Sequence, residues 1–481
     1  MLRPWSLRVP LMSHTAQALH LQLCQQLIED ISAGRLAAGT PLPGSREMAA
    51  QLGINRKTVQ QAYDELVAQG WLASQPRRGT FVAARLPAPA PAQPGGVPAQ
   101  QAEFLLHAPV MPLQSWQTSQ HGLFADGEPD SRLIPFDLLG RAYRRALIRS
   151  ARGRMLGYAD PRGTPALREA LAEMLAMERG LAVGPEQLCL VRGSQMGIFV
   201  AARVLARPGD VVVTEHLSYP PARAAFRAAG AQVINAAQDE DGLCPAALAR
   251  LCEAHPVRAV YLTPHHQFPT TRRMPPARRL QLLALARQYR FAIVEDDYDH
   301  EFSYDHRPSL PMASGDGAGR VIYVGSLSKV LAPGLRLGYL AAPADVIARC
   351  AEEIMQIDRQ GNTVTELAVC ELLCNGELKR HLRRATRIYH ARRDLLAGLL
   401  QQTLADHAHF ELPAGGLAFW LQLHDPAAPA RLERDGAHWH TAHRFAEGEP
   451  GIAALRLGFG HLDENELAGA VHRLERALLP G

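Results

Sequence analysis

The 481-residue chain has no run of about 18 or more uncharged apolar residues, so no membrane-spanning helix is expected. Its first residues, MLRPWSLRVPLMSH, lack the sustained apolar stretch and small-residue cleavage site of an export signal, and a cytoplasmic location is expected. Cysteine is scarce: seven residues are scattered without a CxxC pair, although Cys370 and Cys374 lie one helical turn apart. That pattern predicts reduced thiols, with neither a disulfide framework nor a metal site. No long internal repeat is present, which excludes solenoids and propellers. Net charge is low at +4, too little by itself to name a partner.

The length points to two or three domains, and 47% apolar with 20% charged residues suits a chain that buries large cores. The charge is unevenly placed. Residues 1–85 hold nine Lys/Arg and five Asp/Glu, an excess of four equal to that of the whole chain. Such asymmetry points to nucleic acid at the N-terminal end.

The segment 85–104, beginning Arg-Leu-Pro-Ala-Pro-Ala-Pro-Ala-Gln-Pro-Gly-Gly, is a natural boundary. Alternating prolines remove backbone donors and favour extended polyproline II, so it reads as a semi-rigid tether. It separates a domain at 12–84 from a larger one at 105–481. In the first, Leu19, Leu23, Leu27 and Ile31 repeat at helical spacing, with Gly34 as the cap. Ser45 is expected to cap a short helix Arg46–Leu52, and Asn55 a second, Arg56–Gln69. Two strand-like runs around Pro76-Arg77-Arg78-Gly79 follow, giving a winged helix-turn-helix. In that motif the second helix enters the major groove, which assigns Asn55, Arg56, Lys57, Thr58 and Gln60 to base edges. Arg46, Arg77, Arg78 and Gly79 suit phosphate or minor-groove contact.

Beyond the tether, candidate strands at Leu188–Val191, Val211–Thr214, Ala259–Leu262, Ala292–Val294, Val321–Val324 and Leu337–Leu340 alternate with helical stretches. This predicts a mostly parallel α/β sheet with ligand residues after its strands, and a smaller α/β part near Gly415–Leu423 and Ala454–Phe459. Lys329 stands in Gly325-Ser-Leu-Ser-Lys-Val-Leu-Ala-Pro-Gly-Leu-Arg336. An amine flanked by Ser326, Ser328 and Arg336 suits an aldehyde cofactor carrying a phosphate, with Lys329 forming the Schiff base (aldimine). Asp296 can hold a ring nitrogen protonated, with Asp297 as its rival, and Tyr298 can bond the ring oxygen. Gly193, Ser194 and Gln195 open a helix whose N–H groups favour the phosphate. Tyr219 is placed to stack on the ring or line a ligand pocket.

Residues 35–82 resemble the GntR-type winged helix, and residues 120–480 resemble the fold-type I, aspartate aminotransferase-like enzymes of pyridoxal phosphate. The combination resembles the MocR/GabR family of transcriptional regulators. That resemblance implies an α+β winged-helix head on an α/β PLP-dependent transferase fold with a smaller C-terminal subdomain. It implies pyridoxal 5'-phosphate on Lys329, phosphate contact from Arg336 and from Tyr158 of a partner subunit, and an effector carboxylate on Arg456. The loop Thr263-Pro-His-His-Gln-Phe-Pro-Thr270 departs from the family pattern: it lacks the asparagine for the ring oxygen, leaving Gln267 or His266, and Thr271 replaces a glycine.

The expected function is a homodimeric regulator that binds operator DNA at two half-sites and senses an amine, an amino acid or pyridoxal phosphate itself. The alternative is an active aminotransferase with a regulatory head. Under the first reading, transaminase turnover is weak or vestigial.

Overall fold

The computed structural model describes residues 18–87, 108, 110, 123–125, 127–304, 309–316, 319–435 and 437–478. Most of the proposed tether therefore lies outside the described residues. The chain divides into two compact units, Met1–His107 and Ala108–Gly481.

In the first unit, three helices, α1 (Leu19–Ser32), α2 (Ser45–Leu52) and α3 (Arg56–Ala68), precede a hairpin of β1 (Leu72–Gln75) and β2 (Gly79–Val82). The apolar repeat of α1 buries Leu23, Leu27 and Ile31 against Met48 of α2 and Val59, Ala62, Tyr63 and Leu66 of α3. Tyr63 locks the packing by donating its hydroxyl to Pro43 O at 2.9 Å. The turn between α2 and α3 passes through Gly53 at φ +66°, a left-handed cap that a side chain would strain. Asn55 caps α3 as its sequence predicts, accepting from Lys57 N at 2.8 Å. Ser45 does not cap α2. Gly44 occupies that position, Ser45 is the first helical residue, and its hydroxyl accepts from Arg56 Nε at 3.4 Å.

The second unit opens with helices α4 (Phe136–Arg152) and α5 (Pro165–Arg179). Its main sheet takes strands β3 (Leu188–Val191), β4 (Val211–Glu215), β5 (Gln232–Ala236), β8 (Val257–Leu262), β9 (Ala292–Asp297), β10 (Val321–Ser326) and β11 (Gly338–Ala341). A two-residue ladder of β6 (Gln238–Asp239) and β7 (Gly242–Leu243) stands apart, and the helix α6 (Ser194–Leu205) links β3 to β4. The order in the main sheet is β3-β11-β10-β9-β8-β4-β5. Six strands run in one direction, and β11 alone in this sheet is antiparallel to both of its neighbours. These strands are apolar on both faces, as parallel strands covered by helices must be. The order reverses between the neighbours β4, which leads outward to β5, and β8, which leads the other way to β9 and β10, and an α/β sheet leaves a crevice at the strand ends beside such a switch point. β5 escapes sequence reading because Gln232-Val-Ile-Asn-Ala236 at the sheet edge is short and mixed.

Toward the C-terminus, α7 (Thr363–Cys374) and the long α8 (Glu377–Leu404) lead to a second, antiparallel sheet. Its strands β12 (Ala408–Phe410), β13 (Ala418–Leu423), β15 (Ala454–Gly458) and β14 (His440–Thr441) pair in that order. The core beneath it gathers Tyr389, Leu396, Phe419, Leu457, Phe459 and Leu474.

One strained position stands out. Thr271, at the site where the resemblance calls for glycine, adopts φ +62°. A β-branched residue is disfavoured in the left-handed region by about 1–2 kcal/mol. Thr271→Gly is expected to stabilise the chain by about 0.5–1 kcal/mol after the entropy of glycine is subtracted. Equilibrium denaturation checks this, and an unchanged or lowered midpoint contradicts it.

Candidate functional site

Strand ends assemble the pocket. β10 delivers Ser326 to its end, and the loop beyond it carries Ser328 and Lys329. β9 presents Asp296 and Asp297, with Tyr298 following. The turn after β3 reaches Gly193, which opens the 12-residue helix α6. Lys329 Nζ donates to Gly127 O at 2.5 Å and lies 5.6 Å from the Tyr298 ring centroid.

The adjacent carboxylates of β9 have different surroundings, as the period of two requires. Asp296 is buried, and Tyr261 on β8 donates its hydroxyl to Oδ2 at 2.7 Å. Its Oδ1 is buried without a hydrogen-bond partner among the described residues. Burial pushes its carboxyl up to about 7, and Lys329 is near enough to oppose that shift. Asp297 instead accepts from Tyr323 at 2.6 Å and pairs with His300 at 2.8 Å. Its neighbours, His300 first and Arg179 among them, hold its carboxyl well below the ordinary carboxylate range despite burial.

Opposite these acids, Gly193 at φ +77° lets Arg336 approach: a Cβ there would fall 2.8 Å from Arg336 Nη2. Arg336 Nη2 donates to Arg192 O at 2.7 Å. Ser328 N donates to Ser326 Oγ at 3.3 Å, while Ser328 Oγ is buried without a partner among the described residues. Arg336, the two serines and the α6 N-terminus are the groups here that could hold an anion. Gln195 donates to Pro221 O at 3.1 Å, and its Oε1 is buried and unbonded among the described residues.

An aromatic cluster adjoins Tyr298, whose ring lies 6.1 Å from that of Phe268. Tyr219 meets Phe268 edge-on at 5.1 Å, and the buried Arg456 lies 4.5 Å over the Phe268 ring while donating to Pro269 O at 2.7 Å. The Phe268–Pro269 peptide is cis. Of the two residues proposed in place of an asparagine, the Gln267 amide is bonded within its own loop and to Glu215, whereas His266 keeps Nε2 buried without a partner among the described residues. Gln267 donates to Glu215 Oε2 and Leu217 O and accepts from Thr270. His266 Nδ1 pairs with Asp299 at 2.8 Å, and Tyr298 donates to the His266 carbonyl at 3.1 Å. Tyr158 is 83% exposed, with Arg359 4.7 Å above its ring.

Sequence reading missed Tyr261 and the Gly127 carbonyl, because only the β8–β9 pairing and a return of the chain from more than 200 residues away bring them in. It also missed a buried trio, His265, Asp297 and His300, whose side-chain ligand atoms lie within 4.8 Å of one another. The His265 and His300 rings stack at 4.5 Å and 28°, and His300 Nδ1 is already paired with Asp297 at 2.8 Å. Burial pushes His265 down to about 2, which leaves it neutral.

Buried acids give the unit a pH dependence. Glu215, bonded to Gln267 and the Leu243 amide, is pushed up to about 7 by burial. It stays protonated in the fold where the unfolded chain would ionise, so the fold binds more protons between pH 4.5 and 7. Stability is thus full below the unfolded value and falls as pH rises toward 7. Glu215→Gln should flatten that decline by up to about 1.4 kcal/mol per pH unit in the ligand-free protein. Denaturation at pH 5 and pH 7 measures it, and an unchanged slope contradicts it.

In the first unit, Asn55, Arg56, Lys57 and Gln60 are exposed along the start of α3, with Thr58 half-buried. Gln60 donates to Asp64 at 2.9 Å. Arg46 is exposed on α2, and Arg77, Arg78 and Gly79 are exposed in the hairpin turn, with Arg78 5.7 Å from the Phe81 ring.

The comparisons agree with this division. The model for bacterial regulatory proteins of the gntR family matches residues 19–82, and that for aminotransferase class I and II matches residues 134–474. The chain is 30% identical to the "Probable rhizopine catabolism regulatory protein MocR" of Rhizobium meliloti, over 96% of its length and 94% of the relative. It is 33% identical to the HTH-type transcriptional regulator TauR of Rhodobacter capsulatus, covering 96% of each. Among solved structures, it is similar to the α-aminoadipate aminotransferase LysN of Thermus thermophilus, complexed with N-(5'-phosphopyridoxyl)-L-leucine. There the TM-score is 0.69 with 27% identity, over 76% of this chain and 94% of that one.

Proposed function

Since this chain belongs to the MocR/GabR family of HTH-type transcriptional regulators, we propose that its body binds pyridoxal phosphate at Lys329 and converts the arrival of the cofactor, or of an amine or amino acid, into a change in DNA binding. One observation carries the reading. A single chain joins an Asn55-capped helix with exposed Arg56 and Lys57 to a crevice that gathers Lys329, Asp296 and groups that could hold an anion.

The residues fit the cofactor. Asp296 Oδ1 and Ser328 Oγ are buried without partners among the described residues, the first suited to a ring N–H and the second to a phosphate. When bound, pyridoxal phosphate supplies an aldehyde that takes up amines covalently and a ring that withdraws electrons. The chain's own groups do the rest. Lys329 is the pocket amine. Ser326, Ser328, Arg336 and the N–H groups at Ser194 and Gln195 hold the phosphate. Asp296, whose carboxyl is pushed up to about 7, holds or yields a proton at Oδ1, and Tyr261 fixes its orientation. The Lys329 contribution to its charge supports Asp296 over Asp297 for this role. Tyr219 and Tyr298 flank the ring, and Gln267 shapes the loop behind it. Arg456, stacked on Phe268, binds the carboxylate of an amino acid effector. The exposure of Tyr158 suits a residue that a second subunit covers, and a homodimer would set two heads on two half-sites. A reading in which the body works as an aminotransferase draws on the same complete set of Lys329, Asp296 and Arg456.

Footprinting on DNA upstream of the chain's own coding region, with and without pyridoxal phosphate and candidate amines, tests the regulator reading. Protection that changes with ligand is expected. Rapid keto-acid turnover without any DNA binding would contradict it.

A further inference from the structure

Arginine is concentrated along a helix of the body that supplies none of the proposed cofactor-binding residues. Helix α4 and the residues just after it carry Arg141, Arg144, Arg145, Arg149, Arg152 and Arg154 against a single acid, Asp137. The five within α4 fall inside an arc of roughly 140° at about 100° per residue. The opposite side of the helix buries Leu139, Ala142, Ala146 and Ser150, so the arginines are held outward. All are exposed, and only Arg145 has an ion-pair partner among the described residues, Glu371. Arg145, Arg149 and Arg152 line a shallow groove of about 550 Å³ with Ile148 and Gly153. Arg141 lies close enough to Glu377, at the start of α8, to help lower its pKa.

Several like charges on one face repel one another, and Glu371 and Glu377 offset only part of them. We infer that the α4 arginine face is a second DNA-contact surface, which binds the phosphate backbone of duplex flanking the sites read by the head. Charge and geometry favour this occupant. Guanidinium groups spaced along two turns or more of helix match a row of phosphates, and the head brings duplex DNA to the same molecule. The 20-residue tether, if extended, spans on the order of 60 Å, which keeps flanking DNA within reach. The contact would be independent of sequence and sensitive to salt.

The inference rests on the DNA-binding reading above, and one experiment separates the two. Full-length protein loaded with pyridoxal phosphate is titrated with the footprinted DNA segment alone and with the same segment extended by about two helical turns on each side. Affinities are taken from about 50 to 200 mM salt. Wild type should bind the extended duplex more tightly and with a steeper salt slope. The variant Arg141→Gln/Arg144→Gln/Arg149→Gln/Arg152→Gln should bind the short segment as wild type does. It should lose the extra affinity for the long one, with a slope lower by up to about 3.6 for four phosphate contacts, or about a hundredfold less loss across that salt range. The milder pair Arg144→Gln/Arg152→Gln should lose half of that slope. Equal binding of both lengths by wild type would overturn the inference, as would a change of the variants from dimer to monomer by light scattering, which would mark the face as a subunit contact. Failure of wild type to bind even the short segment would sink the function reading instead.

Discussion

Lys329→Ala is expected to abolish the visible absorption band that pyridoxal phosphate gives when covalently held, and to abolish every ligand-dependent change in operator binding. The protein should still bind its operator, because Lys329 belongs to the body and the α3 surface is formed by the first unit alone. Loss of the amine removes the one side chain able to form the covalent link among the described residues around it. The groups proposed to hold the phosphate persist, so weak, non-covalent cofactor binding should remain and wash out on dialysis. A visible band that survives in the alanine variant would place the attachment elsewhere. A ligand response that survives would show that sensing does not run through this residue.

Arg56→Ala is expected to weaken operator binding by about 5–150-fold, the cost of about 1–3 kcal/mol for one bidentate pair to guanine. It should relax the preference at one base position while leaving binding to random duplex almost untouched. Arg56 is the first residue of α3, exposed and steered by its bond to Ser45 Oγ at 3.4 Å. Arg78, exposed in the hairpin turn, is expected to behave differently: Arg78→Ala should weaken specific and random DNA alike and lower the salt slope by about one. Titrations on operator and scrambled duplex across a salt series measure both. Equal losses on both duplexes for both variants would contradict the division between base reading and backbone contact.

The two units differ in how much of them the chain's linear pattern reveals. The first is local: apolar spacing in α1, Asn55 ahead of α3 and Gly79 in the hairpin act over a few residues, and the fold follows them closely. Even there, Ser45 shows the limit, since a serine before a helix serves equally as its first residue when Gly44 precedes it. In the body, the central strands announce themselves by their apolar runs, but β5 at the edge and the short β12 and β14 do not. The pocket was legible where chemistry sits within a dozen residues, as in Ser326 to Arg336. Which of Asp296 and Asp297 faces Lys329 depends on the pleat of β9 and on Tyr261 in a neighbouring strand, neither of which is a local property. The commitments of Gln267 and His266 to Glu215 and Asp299 are likewise products of folding. The arginine face of α4 was visible as composition. Its meaning required knowing which side of the helix is buried.

The central claim is that a ligand held at Lys329 alters how the head binds DNA. A ligand moves such an equilibrium only through different affinity for two states, and the coupling is reciprocal. The most direct measurement is operator affinity of the full chain, free and loaded with pyridoxal phosphate, with and without candidate amino acids, alongside cofactor affinity with and without operator. The account predicts a shift of at least about fivefold in one titration, matched by the same factor in the other. Operator affinity that is identical in the free, cofactor-loaded and amine-treated protein, for wild type as for Lys329→Ala, would contradict it.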